Sequence, residues 1–427
     1  MKKAIFENAA KLIKDICQAD DYTLNIFSKD SHEIRFAQNG ITQHISGSNT
    51  TINLNVAFGD RTGSASTNQI DENSLKSLVR KAENIAKINE SDPEYISSPG
   101  KSQIENLNNS SKDTEDLSEN VMIDNIKLCV KNAVDKDAKL SGISSKHLME
   151  WYIATKNGFE GFDRFSEFSH SMTIKKDGVE TKVSKGVKKY SDFDIKEEIN
   201  QLNNQFDSLH NPDKFDAQKI AVILRPAAVE NLFNFLFWMM NMRDSDEGTT
   251  PFTNQLNKKF FGEKFNLSST FEDDSLVFQR FSEAGIPNRN IDWIKDGVIK
   301  NMPVSRFYAR EKNIEPAMPV NVYISGGEIS EEEMMKMVDR GLIINNFWYI
   351  RFIDKKRGEL TGMTRDGVLY FENGKVVKSI NNLRWNEVIQ DVTRRILALG
   401  QSVLKSSDSK VPTMLIKDFN FVDSTSF

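Results

Sequence analysis

The first hundred residues alternate between helical and strand-like patterns of apolar residues. An amphipathic helix is predicted at the start by apolar residues at helical spacing: Ile5, Ala9, Leu12, Ile13 and Ile16. Alternation of apolar and polar residues then predicts three strands and their glycine turns: Tyr22–Phe27, Glu33–Phe36 and Thr51–Val56, with turns at Gly40, Gly47 and Gly59. A second helical stripe covers Asn73–Ile88 and ends before Pro93, which predicts another helix.

Residues 97–120 interrupt these patterns because they are rich in Ser, Asn, Lys, Asp and Glu. Such a composition offers little to bury and favours an exposed linker. Beyond it, helices are predicted over Met122–Val134 and Ile195–Leu209, and strands over Met149–Thr155 and Ser169–Ile174. Asp177–Gly178 predicts a hairpin whose two turn residues have positive φ.

The last half is dominated by strand patterns and tight turns. Asp296–Gly297 and Asn373–Gly374 each separate two β-rich runs, which is a strong hairpin signal. We therefore predict an α+β protein in four parts. These are an N-terminal helix-strand-helix α+β domain (1–96), a linker (97–120), a middle α+β region (121–214) and a large β-rich C-terminal domain with antiparallel hairpins (215–427).

Composition and charge narrow the class of protein. Of 427 residues, 38% are hydrophobic and 27% are charged, which is typical of a globular chain. The longest apolar run, Leu232–Met242, contains two asparagines and is shorter than the roughly 20 residues that a membrane-spanning helix needs. No apolar signal-peptide core follows Met1, so we expect a cytoplasmic protein. A net charge of −5 argues against a dedicated nucleic-acid binder.

Metal and nucleophile motifs are scarce. Cys17 and Cys129 cannot form a disulfide framework or a zinc knuckle, and we predict two buried thiols. His32–Glu33 lacks the second histidine that a zinc-peptidase helix requires. Charge runs have structural explanations, since Ser330 and Glu333 fit a capping box. A solvated face is favoured over a polyanion site for six lysines: Lys175, Lys176, Lys182, Lys185, Lys188 and Lys189.

The helix that follows Pro226 is apolar on most sides. Its main stripe has six members: Val229, Leu232, Phe233, Leu236, Phe237 and Met240. A central core helix explains this pattern, and a helix that closes a subunit interface explains it as well. Phe233, Phe237 and Met240 are the residues that we predict for such an interface.

Aromatic and basic residues follow one another in Phe347–Arg351, and a glycine-flanked turn follows at residues 361–367. Strand aromatics are normally core residues, but arginines near such a turn suit recognition of a peptide carboxylate or of a partner's loop. The predicted peptide- or partner-binding residues are Trp348, Tyr349, Arg351, Arg365 and Asp366.

The last half resembles the C-terminal domain of the TldD/PmbA family, a family of TldD-related peptidases also called modulators of DNA gyrase. Five runs carry the resemblance: Asn346–Arg351, Leu360–Gly367, Phe371–Lys375, Asn382–Asn386 and Lys417–Phe421. The resemblance is strong after about Phe215. It implies a dimeric cytoplasmic protein, and it implies that active members hydrolyse peptides with zinc held by a His-Glu-x-x-x-His helix and a later cysteine.

This chain departs from that zinc motif. Arg225, Pro226 and Glu230 stand where His, Glu and His would stand, and no cysteine follows Cys129. Arginine cannot ligate zinc and proline cannot act as a general base, so we expect no metal in this chain and zinc only in a motif-bearing partner. The departure resembles the PmbA (TldE) side of the family. It implies a non-catalytic subunit that pairs with a TldD-like chain and helps to enclose its peptide channel.

Two other functions remain open from the sequence. An active hydrolase with a displaced site would use other carboxylates, such as Glu230, Asp244 or Asp366, although no spacing of residues supports it. A homodimeric peptide-binding module would self-associate through the helix that contains Phe233–Met240 and would need no other partner.

Overall fold

The computed structural model describes residues 2–424, so Met1 and the last three residues of the predicted C-terminal domain lie outside it. The first half of the chain has eleven helices and strands: α1 (Lys3–Ile16), β1 (Asp21–Ala37), β2 (Gly40–Phe58), β3 (Arg61–Thr67), α2 (Glu72–Ile88), α3 (Lys112–Glu115), α4 (Glu119–Asp135), β4 (Lys139–Thr155), β5 (Glu160–Lys176), β6 (Val179–Val187) and α5 (Ile195–Asp207). A short 3₁₀ helix, Tyr190–Asp192, precedes α5.

Six antiparallel strands form one sheet in the order β3-β2-β1-β4-β5-β6. β1 pairs with β2 on one side and with β4 on the other. The sheet therefore continues from residues 1–96 into residues 121–214, and the boundaries between these two parts stay a prediction. Apolar side chains of one face, including Leu24 and Leu54, pack under α1 and α2. Those at the other end, including Phe36, pack under α4 and α5.

The strand bounds correct two sequence-based predictions. Tyr22–Phe27 and Glu33–Phe36 belong to the single strand β1, and Gly47 lies within β2, opposite Ser31. The turn between β1 and β2 is made instead by Gln38 and Asn39, whose φ angles are 51° and 64°. Polar residues do not interrupt a strand when its backbone hydrogen bonds continue, so Gly47 was a false turn signal.

Helix α1 buries a stripe that is shifted by one residue from the predicted one. Phe6, Ala9, Ala10 and Ile13 are buried, whereas Ile5 is 51% exposed. The two stripes share Ala9 and Ile13, so spacing alone did not show which flank faces the sheet. Cys17 and Cys129 are buried free thiols, as predicted.

Residues 97–120 are not an exposed linker throughout, because Asn109 and Thr114 are 3% and 0% exposed. The Asn109 side chain donates to both carboxylate oxygens of Asp163 on β5, at 3.2 and 3.1 Å. It also donates to the backbone oxygen of Phe278 at 2.6 Å and accepts from the Phe278 nitrogen at 2.9 Å. Polar residues are buried here because each one has partners, which composition does not reveal.

The second half of the chain has sixteen helices and strands: β7 (Lys219–Leu224), α6 (Pro226–Phe237), α7 (Met242–Asp246), β8 (Leu267–Ser269), β9 (Ile291–Lys295), β10 (Val298–Ile299), α8 (Arg306–Lys312), β11 (Val322–Ile324), α9 (Glu331–Lys336), β12 (Arg340–Asp354), β13 (Glu359–Glu372), β14 (Lys375–Ile380), β15 (Leu383–Val388), α10 (Ile389–Arg394), β16 (Ile396–Ser406) and β17 (Ser409–Ser424). The α+β class and the β-rich C-terminal half are therefore confirmed. The hairpin turns at Asp177, Asp296 and Asn373 have positive φ, as predicted.

Five strands of the second sheet close into a ring. The order runs β17-β15-β13-β12-β7, and β7 pairs back with β17. Three buried aromatic residues meet across the ring: the centroid of the Phe347 ring lies 4.9 Å from that of Trp385 and 5.8 Å from that of Phe419. Truncating a buried aromatic residue of this kind to alanine costs about 3–5 kcal/mol. Among residues 2–424, no helix is long and apolar enough to cross a membrane.

We predict that replacing Asn109 with alanine lowers the free energy of unfolding by about 2–3 kcal/mol, because Asp163 and the Phe278 backbone lose buried partners. Urea unfolding followed by circular dichroism measures this change. Asn106→Ala is the matched control, since Asn106 is exposed in the same segment. Equal stability of the two variants would contradict a role for Asn109 in joining the two halves.

Candidate functional site

The positions of the altered zinc motif lie at the start of α6, directly after β7. Arg225 is the N-cap residue, and Pro226 occupies the first turn of the helix. Proline suits this place because the first N–H groups of a helix have no partner within the helix. The position that would carry a general base therefore serves to begin a helix.

The Arg225 side chain is held in a hydrogen-bonded ion pair. Its Nε donates to Glu331 Oε2 at 2.8 Å and its Nη2 donates to Glu331 Oε1 at 2.6 Å. Its Nη1 donates to Asn345 Oδ1 at 2.5 Å, and Asn345 Nδ2 donates to the backbone oxygen of Asp366 at 2.8 Å. The guanidinium thus connects α6 with α9 and β12, and its geometry is that of a structural cross-link.

Glu230 points towards a different part of the molecule. Its Oε1 accepts from Ser406 Oγ at 3.2 Å, at the end of β16. Burial raises the pKa of Glu230, and the nearby positive charge of Lys405 opposes this shift. The ammonium group of Lys405 donates to Ser184 Oγ on β6 at 2.8 Å, and burial lowers the pKa of Lys405. Glu230 therefore lies where the two halves of the chain meet.

These residues do not fit a zinc ion. Arg225 is engaged by Glu331, Pro226 has no ligand atom, and Glu230 is engaged by Ser406. Within residues 2–424, no group of three His, Cys, Asp or Glu side chains is placed to hold a metal. The expectation that this chain binds no zinc stays a prediction.

Trp348 and Tyr349 form an exposed aromatic pair on β12. Their side chains are 45% and 57% exposed, and their ring centroids are 5.4 Å apart. The Cζ atom of Arg365 lies 4.5 Å from the centroid of the Trp348 ring, and the Cζ atom of Arg351 lies 5.4 Å from the centroid of the Tyr349 ring. Tyr349 has a φ of 54°, a costly conformation for an aromatic residue, at an irregularity in the pairing of β12 with β13. Four predicted binding residues therefore lie together on the surface.

Asp366, the fifth predicted binding residue, is turned inward. Its side chain is 5% exposed and accepts from Asn346 Nδ2 at 2.8 Å, and Asn346 Oδ1 accepts from Asn231 Nδ2 at 2.6 Å. Burial raises the pKa of Asp366. It also borders a cavity of about 370 Å³ together with Glu180 and His210.

The residues predicted for a subunit interface are used within the chain, which corrects that reading. Phe233 and Met240 are 2% and 0% exposed, and Phe237 packs edge-on against Trp293 with centroids 5.7 Å apart. Helix α6 ends at Phe237, so Met240 lies beyond the helix although the sequence pattern included it in the helical stripe. The exposed aromatic residue of this region is Trp238, which is 66% exposed.

The three carboxylates proposed for a displaced active site do not converge. Glu230 contacts Ser406, Asp244 forms an ion pair with Lys355 at 3.1 Å, and Asp366 contacts Asn346. No shared acid–base arrangement follows from these contacts.

Sequence reasoning missed several partners in this region, namely Glu331, Asn345, Lys405 and Ser406. Ser330 and Glu333 do form the predicted capping box, which accounted for the acidic run without a role for Glu331. The predicted solvated lysine face is wrong for Lys188, whose side chain is 3% exposed. Its ammonium group donates to Asp274 Oδ1 at 3.1 Å and to the Leu276 oxygen at 3.2 Å.

Comparison with known proteins identifies the family. The sequence matches the family model of the PmbA/TldA metallopeptidase C-terminal domain over residues 217–423. It also matches PmbA/TldA metallopeptidase domain 1 over residues 27–86. The chain belongs to the PmbA/TldD family. The resemblance drawn from Asn346–Arg351 and its neighbouring runs is thereby confirmed.

Solved structures have the same fold as this PmbA/TldD chain. TldE from Thermococcus kodakarensis is 16% identical, with a TM-score of 0.89, and the match covers 98% of this chain and 100% of that one. A protein described as a candidate modulator of a DNA gyrase from Thermotoga maritima is 16% identical, with a TM-score of 0.86 and coverage of 99% and 100%. A third, from Bacteroides thetaiotaomicron and similarly described, is 16% identical, with a TM-score of 0.86 and coverage of 99% and 98%. No curated protein matches the sequence.

We predict that Arg225→Ala lowers the free energy of unfolding by about 2 kcal/mol, because Glu331 and Asn345 lose a partly buried charged partner. Glu331→Ala should have a similar effect, and the double variant should lose less than the sum of the two. Urea unfolding measures all three changes, with Arg340→Ala as the control because Arg340 is exposed. Strict additivity would show that the interaction between the two side chains does not stabilise the fold.

A second prediction concerns pH. Burial raises the folded-state pKa of Glu230 above its ordinary value of 4.5. The stability that Glu230 contributes is therefore complete below about pH 4.5 and is lost as the pH rises through the folded-state pKa. Relative to Glu230→Gln, the native protein should become less stable between pH 4.5 and pH 7.5 in urea unfolding.

Glu333→Gln is the control of opposite sign. The Ser330 backbone N–H holds the pKa of Glu333 below its usual value, so its stabilising contribution is present above about pH 4.5 and lost as the pH falls. Relative to that variant, the native protein should become more stable as the pH rises. The same pH trend in both comparisons would contradict the assigned environments.

Proposed function

We propose that this chain is the non-catalytic subunit of a peptide-hydrolysing or peptide-maturing assembly in the cytoplasm. The observation that supports it best is the use of the motif positions. Arg225 binds Glu331 and Asn345, Glu230 binds Ser406, and Pro226 begins a helix. The family fold is thus present while the residues needed to hold zinc are absent from these positions.

A partner chain would supply the zinc and the His-Glu-x-x-x-His helix. Exposed aromatic residues beside arginines are enriched at protein interfaces, and Trp348 and Tyr349 have this setting. Trp238 adds a third exposed aromatic residue after α6. We propose that the surface formed by Trp348, Tyr349 and Trp238 contacts the partner or its peptide. The fold match to a Thermococcus kodakarensis protein named TldE accords with the sequence resemblance of this chain to the TldE side of the family.

Gentle isolation of the tagged chain from its own cells tests this proposal, with mass spectrometry of the co-purified proteins. We expect an equimolar chain that carries His-Glu-x-x-x-His, one zinc ion per pair, and peptide hydrolysis by the pair only. Stoichiometric zinc and hydrolysis by the isolated chain would overturn the proposal. Recovery of this chain alone, as a homodimer, would favour a peptide-binding module instead.

The contact surface has its own test. Trp348→Asp should weaken partner binding at least tenfold, because an interface anchor is replaced by a charge that must be desolvated. Ile88→Asp is the matched control, since Ile88 is 83% exposed at the end of α2. Equal recovery of the partner with both variants would place the interface elsewhere.

A further inference from the structure

Three cavities adjoin one another, and the first of them lies against the open face of the first sheet. Their volumes are about 540, 380 and 650 Å³. The first and second cavities share Asn55 and Ser64. The second and third share Ile96 and Arg306, and the first and third share Gln279 and Glu283. They are therefore compartments of one groove, which shares no lining residue with the region of Arg225 and Glu230.

The polar part of the floor of the first compartment is uncharged and is formed by side chains of three neighbouring strands: Asn25 of β1, Asn53 and Asn55 of β2, and Ser64 and Ser66 of β3. Two aromatic residues, Phe27 of β1 and Trp151 of β4, also line this compartment. Asn25, Asn53 and Ser66 lie in one row across the sheet, and Asn55 lies beside Ser64. The Asn53 and Asn55 side chains are exposed and form no hydrogen bond with any residue between 2 and 424.

This floor matches the backbone of an extended peptide. An asparagine side chain carries both donors and an acceptor, so it can pair with the N–H or the C=O of a peptide unit. Alternate residues of a strand, such as Asn53 and Asn55, are about 6.8 Å apart, which is also the two-residue repeat of an extended chain. Uncharged groups at this repeat recognise backbone without selecting for side-chain charge.

The largest compartment has a mainly apolar lining, with polar and charged residues at its edge. Val304, Phe307, Pro316, Met318 and Val320 lie along it, and Met318 is 48% exposed. Its volume of about 650 Å³ is within the range of ligand-binding clefts. A compartment of this kind accepts an apolar side chain.

Arg306 stands where the apolar compartment meets the second one. Its guanidinium donates one hydrogen bond, from Nη2 to the Ser97 oxygen at 2.8 Å, and it forms no ion pair with any carboxylate of residues 2–424. The nearby Asp21 is occupied, because its oxygens accept from Tyr95 at 2.7 Å and from Ser98 Oγ at 2.5 Å. Partial burial of the Arg306 guanidinium lowers its pKa.

A partly buried guanidinium with free donors is suited to a carboxylate. Two acidic residues also border the groove. Glu94 is paired with Arg243 at 2.8 Å, and Glu283 is exposed at the rim. Neither forms an ion pair with Arg306, so its donors remain available to a ligand.

We propose that this groove binds the C-terminal end of an extended peptide. The terminal carboxylate binds Arg306, an apolar last side chain enters the compartment beside Met318, and the preceding backbone lies along Asn53 and Asn55. This inference goes beyond the proposed function because it concerns a second site that needs neither zinc nor a partner chain.

Fluorescence anisotropy with the purified full-length chain tests the proposal. The probe is a fluorescein-labelled hexapeptide of five alanines followed by a C-terminal leucine with a free carboxylate. The comparison is the same peptide with a C-terminal amide. We expect the free acid to bind at least tenfold more tightly. Arg306→Gln should weaken its binding about 10- to 100-fold, as loss of a charged hydrogen bond does.

Arg340→Gln is the charge-matched control and should bind like the native chain, because Arg340 lies outside the groove. Met318→Asp should weaken binding of the leucine peptide without loss of the fold, since Met318 is on the surface. Thermal unfolding establishes that each variant is folded.

Three outcomes would overturn the proposal: equal binding of acid and amide, unchanged binding by folded Arg306→Gln, or no saturable binding of either peptide. Competition with octanoate separates a peptide end from a free fatty acid, and a tighter complex with octanoate than with the peptide also counts against the proposal. Because only the isolated chain is used, the result does not depend on whether a zinc-bearing partner exists.

Discussion

The closure of five strands into a ring fixes the geometry of the second half of the chain. β7, the first strand of this half, pairs with β12 on one side and with β17, the last strand, on the other. Phe347, Trp385 and Phe419 meet across the ring and set the distance between the strands that carry them. Since α6 follows β7 without a loop, the ring also determines the positions of Arg225 and Glu230 and the direction of the helix that carries them.

Around this ring, the altered motif positions have acquired structural partners. Arg225 joins α6 to α9 and β12, and Glu230 joins it to the end of β16. A guanidinium in such a place needs a carboxylate partner, because an unpaired buried cation would be costly. Glu331 supplies it with two hydrogen bonds. The start of α6 therefore holds neighbouring elements together.

The contact between the two halves combines buried polar residues with an apolar cluster, in which the Phe281 ring packs against Trp151 and Phe159 at centroid distances of 4.7 and 6.0 Å. Asn109 bridges Asp163 of the first sheet and the Phe278 backbone, and Lys188 reaches Asp274 and the Leu276 oxygen. These contacts place the loop of residues 279–288 over the open face of the first sheet, where it forms a wall of the groove that contains Arg306. Polar and apolar contacts at the junction thus together form the concave surface that contains Arg306.

The sequence alone determined the features that depend on neighbouring residues. The hairpin turns at Asp177, Asp296 and Asn373 follow from local backbone preference, and α2 follows from its apolar stripe. The loss of the zinc motif and the family itself can also be read from runs of residues. Tertiary structure decided which side of α1 is buried, that Met240 is internal, that Trp348 is exposed, and that Arg225 binds Glu331. Each of these depends on residues distant in sequence that folding brings together, and no local pattern specifies such partners.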